Sequence, residues 1–394
     1  MSRSCRTQQR HQQSVVSPAR RDLGALRVLL AVTFLAFVNY AALLGVVPMW
    51  VSAGGAGSLF VGLTTAVMMT ATVLTQVSAP WLFRLLSLRS MMIAGTILLG
   101  APAPLYLLSP DVGWVLGVTV PRGIGFALVV MAGATLVASL AGEGRLSSSA
   151  SLYGAAAALP NLAALAGGVW AAEGWGFAVV FWVSACSALL AGVLAAALPA
   201  ALRGTFTVAA LRDAGSALTP IGLFLTTAAA FGAASTFLPV ASPGAGAASL
   251  ALLGASVALL VGRLAAGFLG DRLRSDRLLL PTVVMAGAGM GTIGLALRYE
   301  STGVLIVGAA VLGAGFGACQ NASFVTAVDR LGATRTAVAS TVWNAAYDGG
   351  IGLGAVVIGW VTGLLGYPGA FLGMAVTIVA GALTFRAAVR LQPR

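Results

Sequence analysis

The chain has 394 residues, of which 59% are hydrophobic and only 8% charged, and its 22 basic residues against 10 acidic ones give a net charge of +12. A soluble protein carries roughly 25% charged residues, so this sequence cannot cover a water-facing surface and is expected to cross a membrane many times. All the basic residues counted are arginine; without lysine there is no phosphate-binding P-loop, which excludes an ATP-driven pump carrying its own nucleotide site. One histidine, His11, and three cysteines, Cys5, Cys186 and Cys319, make no metal-ligand spacing or disulfide framework, so no metal and no cofactor is expected.

Residues 1–25 are polar and basic and are expected to form a disordered tail. The run that follows is too long for the apolar core of a signal peptide and has no clear cleavage site. Apolar runs long enough to cross the ~30 Å hydrocarbon core then recur in chain order at 26–48, 58–81, 90–108, 112–140, 149–172, 175–199, 217–240, 247–269, 278–297, 303–327, 336–363 and 367–387. Residues 201–216 form a polar linker between the sixth and seventh runs.

Arginine placement sets the orientation, because basic residues concentrate on the cytoplasmic side. Of the 22 arginines, Arg122 and Arg263 fall within spans and Arg298 in an external turn, leaving 19 on the side of the N-terminal tail. Arg84, Arg89, Arg145, Arg203, Arg212, Arg272 to Arg277, Arg330, Arg335, Arg386, Arg390 and Arg394 all fall there. Both termini are therefore predicted to be cytoplasmic, in a plasma (inner) membrane protein. The positive charge reads as topology and lipid contact, and no nucleic-acid partner is expected.

Shifting the chain by about 190 residues against itself aligns Gly123, Gly125 and Phe126 with Gly313, Gly315 and Phe316, Arg145 with Arg335, Ala155-Ala156 with Ala345-Ala346, and Phe181 with Phe371. The offset persists at equivalent topological positions. An all-α membrane protein of twelve helices is predicted, with a six-helix bundle in 26–200 and a second in 217–394. Such parallel repeats are the architecture of rocking secondary transporters.

GRLAAGFLGDRLRSDR at 262–277 resembles the loop motif of the major facilitator superfamily, with Gly267, Leu269, Asp271, Arg272 and Arg277 matching and Arg274 replacing a glycine. PRGIGFA at 121–127 resembles the family's fourth-helix motif. GAGFGACQNASF and STVWNAAYDGGIGLG resemble bacterial drug and metabolite efflux permeases of that superfamily. In the first-half loop Ala79, Phe83 and Leu86 stand where Gly, Asp and Gly are the pattern. The proline and glycine spacing of the fifth span does not match the drug-antiporter signature. The resemblance implies alternating access, a coupling role for Arg122, and a cavity lined by the first, fourth, seventh and tenth spans. These offer Asn39, Tyr40, Phe126, Thr226, Thr227, Phe316, Gln320 and Asn321 toward a small amphipathic or weakly anionic substrate. Gly267, Asp271, Arg272 and Arg277 form the expected conformational latch, with Asp271 facing the start of the fifth span near Ser147 to Ser149.

Of the ten acids only Asp348 lies well inside a span, ~18 Å along its helix at ~1.5 Å per residue. A carboxylate at that depth costs at least ~3 kcal/mol. Two readings follow: a proton carrier hydrogen-bonded to Asn344 with Arg122 acting on it, or an interhelical hydrogen-bonding residue. Glycine pairs at four-residue spacing, Gly287/Gly291, Gly313/Gly317, Gly350/Gly354 and Gly359/Gly363, read as close helix packing. The sequence thus predicts a transporter, not an enzyme. Its partners are expected to be protons, a small molecule and the bilayer, and it is expected to act as a monomer. Proton-driven efflux of an amphipathic compound is the first reading, proton-coupled import of a sugar or metabolite the second, and a non-transporting receptor or assembly factor a remote third.

Overall fold

The computed structural model describes residues 18–141, 146–204, 215–242, 246–332 and 335–391. The tail to residue 17, most of the linker, and Glu143, Arg145, Arg212, Asp213 and Arg394 lie outside the described residues. Among the described residues the regular elements are helices. In chain order the spans are Pro18–Ala53, Ser58–Val77, Leu88–Gly100, Val112–Leu140, Leu146–Trp175, Phe177–Ala195, Leu218–Ala241, Ala247–Leu273, Ser275–Arg298 and Thr302–Leu331. A final helix, Thr336–Leu391, follows.

That final helix has 56 residues, which as one rod would measure about 84 Å against a ~30 Å bilayer core. Gly366 breaks it, with φ 67° and ψ 172°, a conformation glycine tolerates because it has no Cβ. The eleventh span is therefore 336–365 and the twelfth 367–391. Among the described residues eleven segments are long and apolar enough to cross a membrane; the break divides the last of them, which gives the twelve expected.

Two edges differ from expectation for reasons in the backbone. The second span stops at Val77, and a short helix, Ala79–Leu85, restarts with Pro80 in its first turn, where a missing N–H costs nothing. The third span ends at Gly100 and continues as the 3-10 turn Ala103–Leu108, because Pro102 and Pro104 cannot donate to a helical ladder. Side chains of Ser87, Asp111 and Ser301 accept the backbone N–H of Ser90, Trp114 and Val304, capping the third, fourth and tenth spans.

Packing repeats between the halves. The first span lies on the fifth as the seventh lies on the eleventh. The third packs on the fourth and sixth as the ninth packs on the tenth and twelfth. The second packs on the fourth as the eighth packs on the tenth. The glycine stripes fall at these crossings. A Cβ on Gly317 would strike the Leu259 carbonyl of the eighth span, and one on Gly354 the Ala229 carbonyl of the seventh. Gly363, by contrast, faces open space.

The halves meet along the second and eleventh spans, the fifth and eighth, and the first and seventh. Ser58 Oγ donates to Gly359 O at 2.9 Å, Thr65 and Thr236 share a 2.9 Å hydroxyl bond, and Glu173 Oε2 accepts from Gly246 N at 2.9 Å. Each of these bonds lies toward the face opposite the chain termini. A Cβ on Gly62 would meet the Ala355 carbonyl, so the two halves touch backbone to backbone there.

The surviving loop motif is partly visible. Arg272 and Arg277 are exposed, and the atom nearest a Cβ on Gly267 would be Asn321 Nδ2 at 3.6 Å. The side chain of Asp271 lies outside the described residues, so the expected contact near Ser147 to Ser149 does too. Arg274, standing where the motif has glycine, takes φ 66° and ψ 131°, a conformation that favours glycine. At the degenerate first-half loop, Phe83 packs against Gly204, Arg203 Nη1 donates to Arg84 O at 3.2 Å and Leu88 N to Leu202 O at 3.0 Å. That loop is tied to the segment after the sixth span.

Candidate functional site

The eleventh span organises the site through two faces at helical spacing. Trp343, Tyr347, Gly350 and Gly354 form one face, directed at the seventh span. There Trp343 stacks on Phe224 at 4.5 Å and 7°, while the glycines abut Ala228 and Ala229. Asn344, Asp348, Gly352, Ala355 and Gly359 form the other, directed at the second span, where Gly352 approaches Met69 and Ala355 approaches Gly62. Asp348 sits on this second face and accepts a 2.8 Å hydrogen bond at Oδ2 from Gln76 Nε2. Both residues are buried, at 3% and 8% exposure. This bond crosses between the halves.

Past this bond a cavity of about 420 Å³ opens between the halves, toward the face carrying the termini. Small-molecule pockets run from ~300 to ~1,000 Å³. Tyr40 stacks on Phe126 at 4.1 Å and 10° on one side, and Phe231, Trp343 and Tyr347 line the other. The fifth span contributes Tyr153, Gly154, Ala155, Ala157 and Ala158, a run of mostly small side chains that leaves the space open. Asn161, Ser256, Arg263, Gln320, Asn344 and Asp348, with the tyrosine side chains, supply the polar atoms.

Of the residues expected at the site, Tyr40, Phe126, Gln320, Asn344 and Asp348 reach this cavity. Phe316 lies behind it, stacked on Phe231 at 4.6 Å and 6.0 Å from the Tyr347 ring. Thr227 is buried with its hydroxyl donating to Phe224 O at 2.9 Å. Asn344 Nδ2 donates to Ser340 O at 2.8 Å and Ser340 Oγ at 3.3 Å. The expected Asn344–Asp348 bond is therefore replaced by the Gln76–Asp348 bond.

Arg122 and Asn39 are brought together, but inside the first half. Arg122, at 1% exposure, donates to Leu99 O at 3.3 Å, Tyr106 Oη at 3.1 Å and Asn39 Oδ1 at 3.1 Å. Its guanidinium lies 5.5 Å from the Tyr106 ring centre. Asn39 Nδ2 continues the network to Ser184 O at 2.7 Å. Four spans meet at this one fork of donors, which suits a rigid planar guanidinium. Arg122 and Asp348 make no ion pair; Arg274 and Asp276 pair at 3.4 Å on the surface.

Sequence reasoning missed Gln76, Arg263, Trp343 and Ser256 as cavity or partner residues. Arg263 and Ser256 are seven residues apart on the eighth span, two helical turns, and so share a face; that spacing was the available signal. Gln76 stands at the end of its span, where polar residues are ordinary.

Two pseudo-symmetric six-helix bundles around a central cavity define a membrane transporter architecture. The sequence matches the family model of the Major Facilitator Superfamily over residues 29–353, and the chain belongs to that family. Among solved structures, a POT family transporter in complex with a thioalcohol-conjugated peptide is similar, with 13% identity, a TM-score of 0.77, and coverage of 92% of this chain and 95% of that one. The nucleoside transporter NupG is similar at 13% identity and TM-score 0.75, covering 94% of this chain and 100% of that one. No curated protein matches the sequence.

Proposed function

We infer that this secondary transporter exports a small amphipathic organic compound from the cytoplasm in exchange for protons, by alternating access. One observation carries the reading: Asp348, the sole acid lining the cavity among the described residues, is held by a single hydrogen bond from the opposite half. A proton and a substrate donor compete for the same carboxylate, and reciprocal competition at one site is what exchange requires. The bond from Gln76 ties that competition to the contact between halves. With both termini cytoplasmic, as the arginine distribution supports, the cavity faces the cytoplasm and is ready to load. The aromatic walls suit an apolar body, and the few polar groups set its orientation. Arg122 acts as the brace of the first half in this reading, and Asn344 as an orienting neighbour of Asp348.

The test is flux in proteoliposomes loaded with a candidate compound under an imposed pH gradient. Exchange predicts that compound moves toward the acidic side, opposite to protons. Compound and protons moving together would replace this reading with proton-coupled import.

A further inference from the structure

Arg263 is a guanidinium in the wall of an apolar cavity about 24 Å from the start of its helix and about 15 Å from its end, at ~1.5 Å per residue. It has no hydrogen bond and no ion pair among the described residues, although Asp348 and Arg263 line the same space. Arg122, the other arginine deep within a span, has three protein acceptors. A guanidinium stays protonated and carries five donors in a fixed fork, and a charge left unpaired in a membrane interior is costly. Three further cavity groups are unmatched: Ser256 Oγ, at 3% exposure, Gln320 Oε1, at 6%, and Tyr40 Oη, at 1%, lack hydrogen-bond partners. Ser256 stands two turns before Arg263 on the same face.

We propose that Arg263 binds an acid group of the substrate, with Ser256 as a second donor beside it, so that the transported compounds are small organic acids with an aromatic or apolar body. The acid takes the donor fork, as carboxylates do, and the body lies between Tyr40 and Phe126 on one side and Trp343 and Tyr347 on the other. The inference rests on the cavity being the substrate site. It also constrains coupling. An acid on Arg263 places a second negative charge in the cavity that Asp348 lines, and like charges repel. An acid without a hydrogen-bond donor would therefore travel with a proton, and exchange requires a compound that also offers a donor to Asp348.

The test is calorimetric titration of the full chain in lipid nanodiscs with phenylacetate, phenethyl alcohol and phenethylamine, which share one apolar body. Phenylacetate is expected to bind at least about tenfold more tightly than the alcohol, the scale of one charge-assisted hydrogen bond. Arg263→Gln should reduce phenylacetate to the level of the alcohol and leave the alcohol unchanged. Arg263→Lys keeps the charge and should retain part of the preference. Equal binding of acid and alcohol, or phenylacetate binding that survives Arg263→Gln, overturns the acid site while the cavity reading stands. Failure of all three to bind, or binding indifferent to Trp343→Ala, overturns the cavity reading together with the acid site.

Discussion

Replacing Gln76 with leucine removes the hydrogen bond that joins the two halves at Asp348 and leaves size and helix propensity nearly unchanged. The bond is 2.8 Å long between two buried side chains, and a hydrogen bond to a charged group of this kind is worth ~1.5–3 kcal/mol. Where the bond exists only with the halves closed on this face, its loss shifts the conformational ratio by roughly 10- to 150-fold at 1.4 kcal/mol per decade. Ala66 reports on that equilibrium. It is buried at 8% on the second span, and its Cα lies 3.4 Å from where a Cβ on Gly352 would sit. In a background with Cys5, Cys186 and Cys319 replaced by alanine, Ala66→Cys should react with an impermeant maleimide about tenfold faster or more once Gln76→Leu is added. In the Asp348→Leu background the same change should add nothing, because the partner is already gone. Unchanged labelling in the first case, or an equal increase in the second, would refute the cross-half bond as a determinant of conformation.

Arg122→Lys should lower the thermal stability of the purified protein by roughly 2–4 kcal/mol, since an ammonium cannot serve three fixed acceptors; a variant of unaltered stability would contradict the brace. Arg274→Gly should raise stability by ~1–3 kcal/mol by releasing a left-handed backbone, and the surface ion pair it removes is worth at most about 1 kcal/mol. Gly62→Val should hold the second and eleventh spans apart, because its Cβ meets the Ala355 carbonyl. It should also increase Ala66→Cys labelling, whereas slower labelling would show that the face closes regardless.

The spans were legible because lipid admits few alternatives: each run of apolar residues long enough to cross must be a helix, and arginines mark the turns. Their edges were less so. Ser78 and Pro80 break the helix inside what reads as one apolar run, 58–81, whereas the boundary between the last two runs falls at Gly366 as expected. The depth of Asp348 was also readable, since only distance along one helix was needed. Its partner was not. Asn344 is one turn away in sequence, but the carboxylate points across the interface to Gln76, 272 residues earlier, and a single sequence does not reveal which face meets which span. The same limit applies to the two arginines within spans. Arg122 and Arg263 are equally intramembrane by composition, yet one is held by carbonyl, phenol and amide oxygens while the other faces an open cavity. The glycine pairs gave helix contacts, but most lie within a half; the close approach between halves falls on Gly62, Gly352 and Gly359.

In the proposed exchange Asp348 carries the proton that drives transport. Asp348→Asn preserves size and can still hydrogen-bond Gln76, but it does not titrate. The direct measurement is flux of a transported compound into proteoliposomes containing this variant, with and without an imposed pH gradient. Facilitated exchange down a concentration gradient is expected to persist while accumulation against it is lost. Uphill accumulation by Asp348→Asn at the rate of the unmodified protein would contradict the proton-carrier role and leave Asp348 a purely structural link between the two halves.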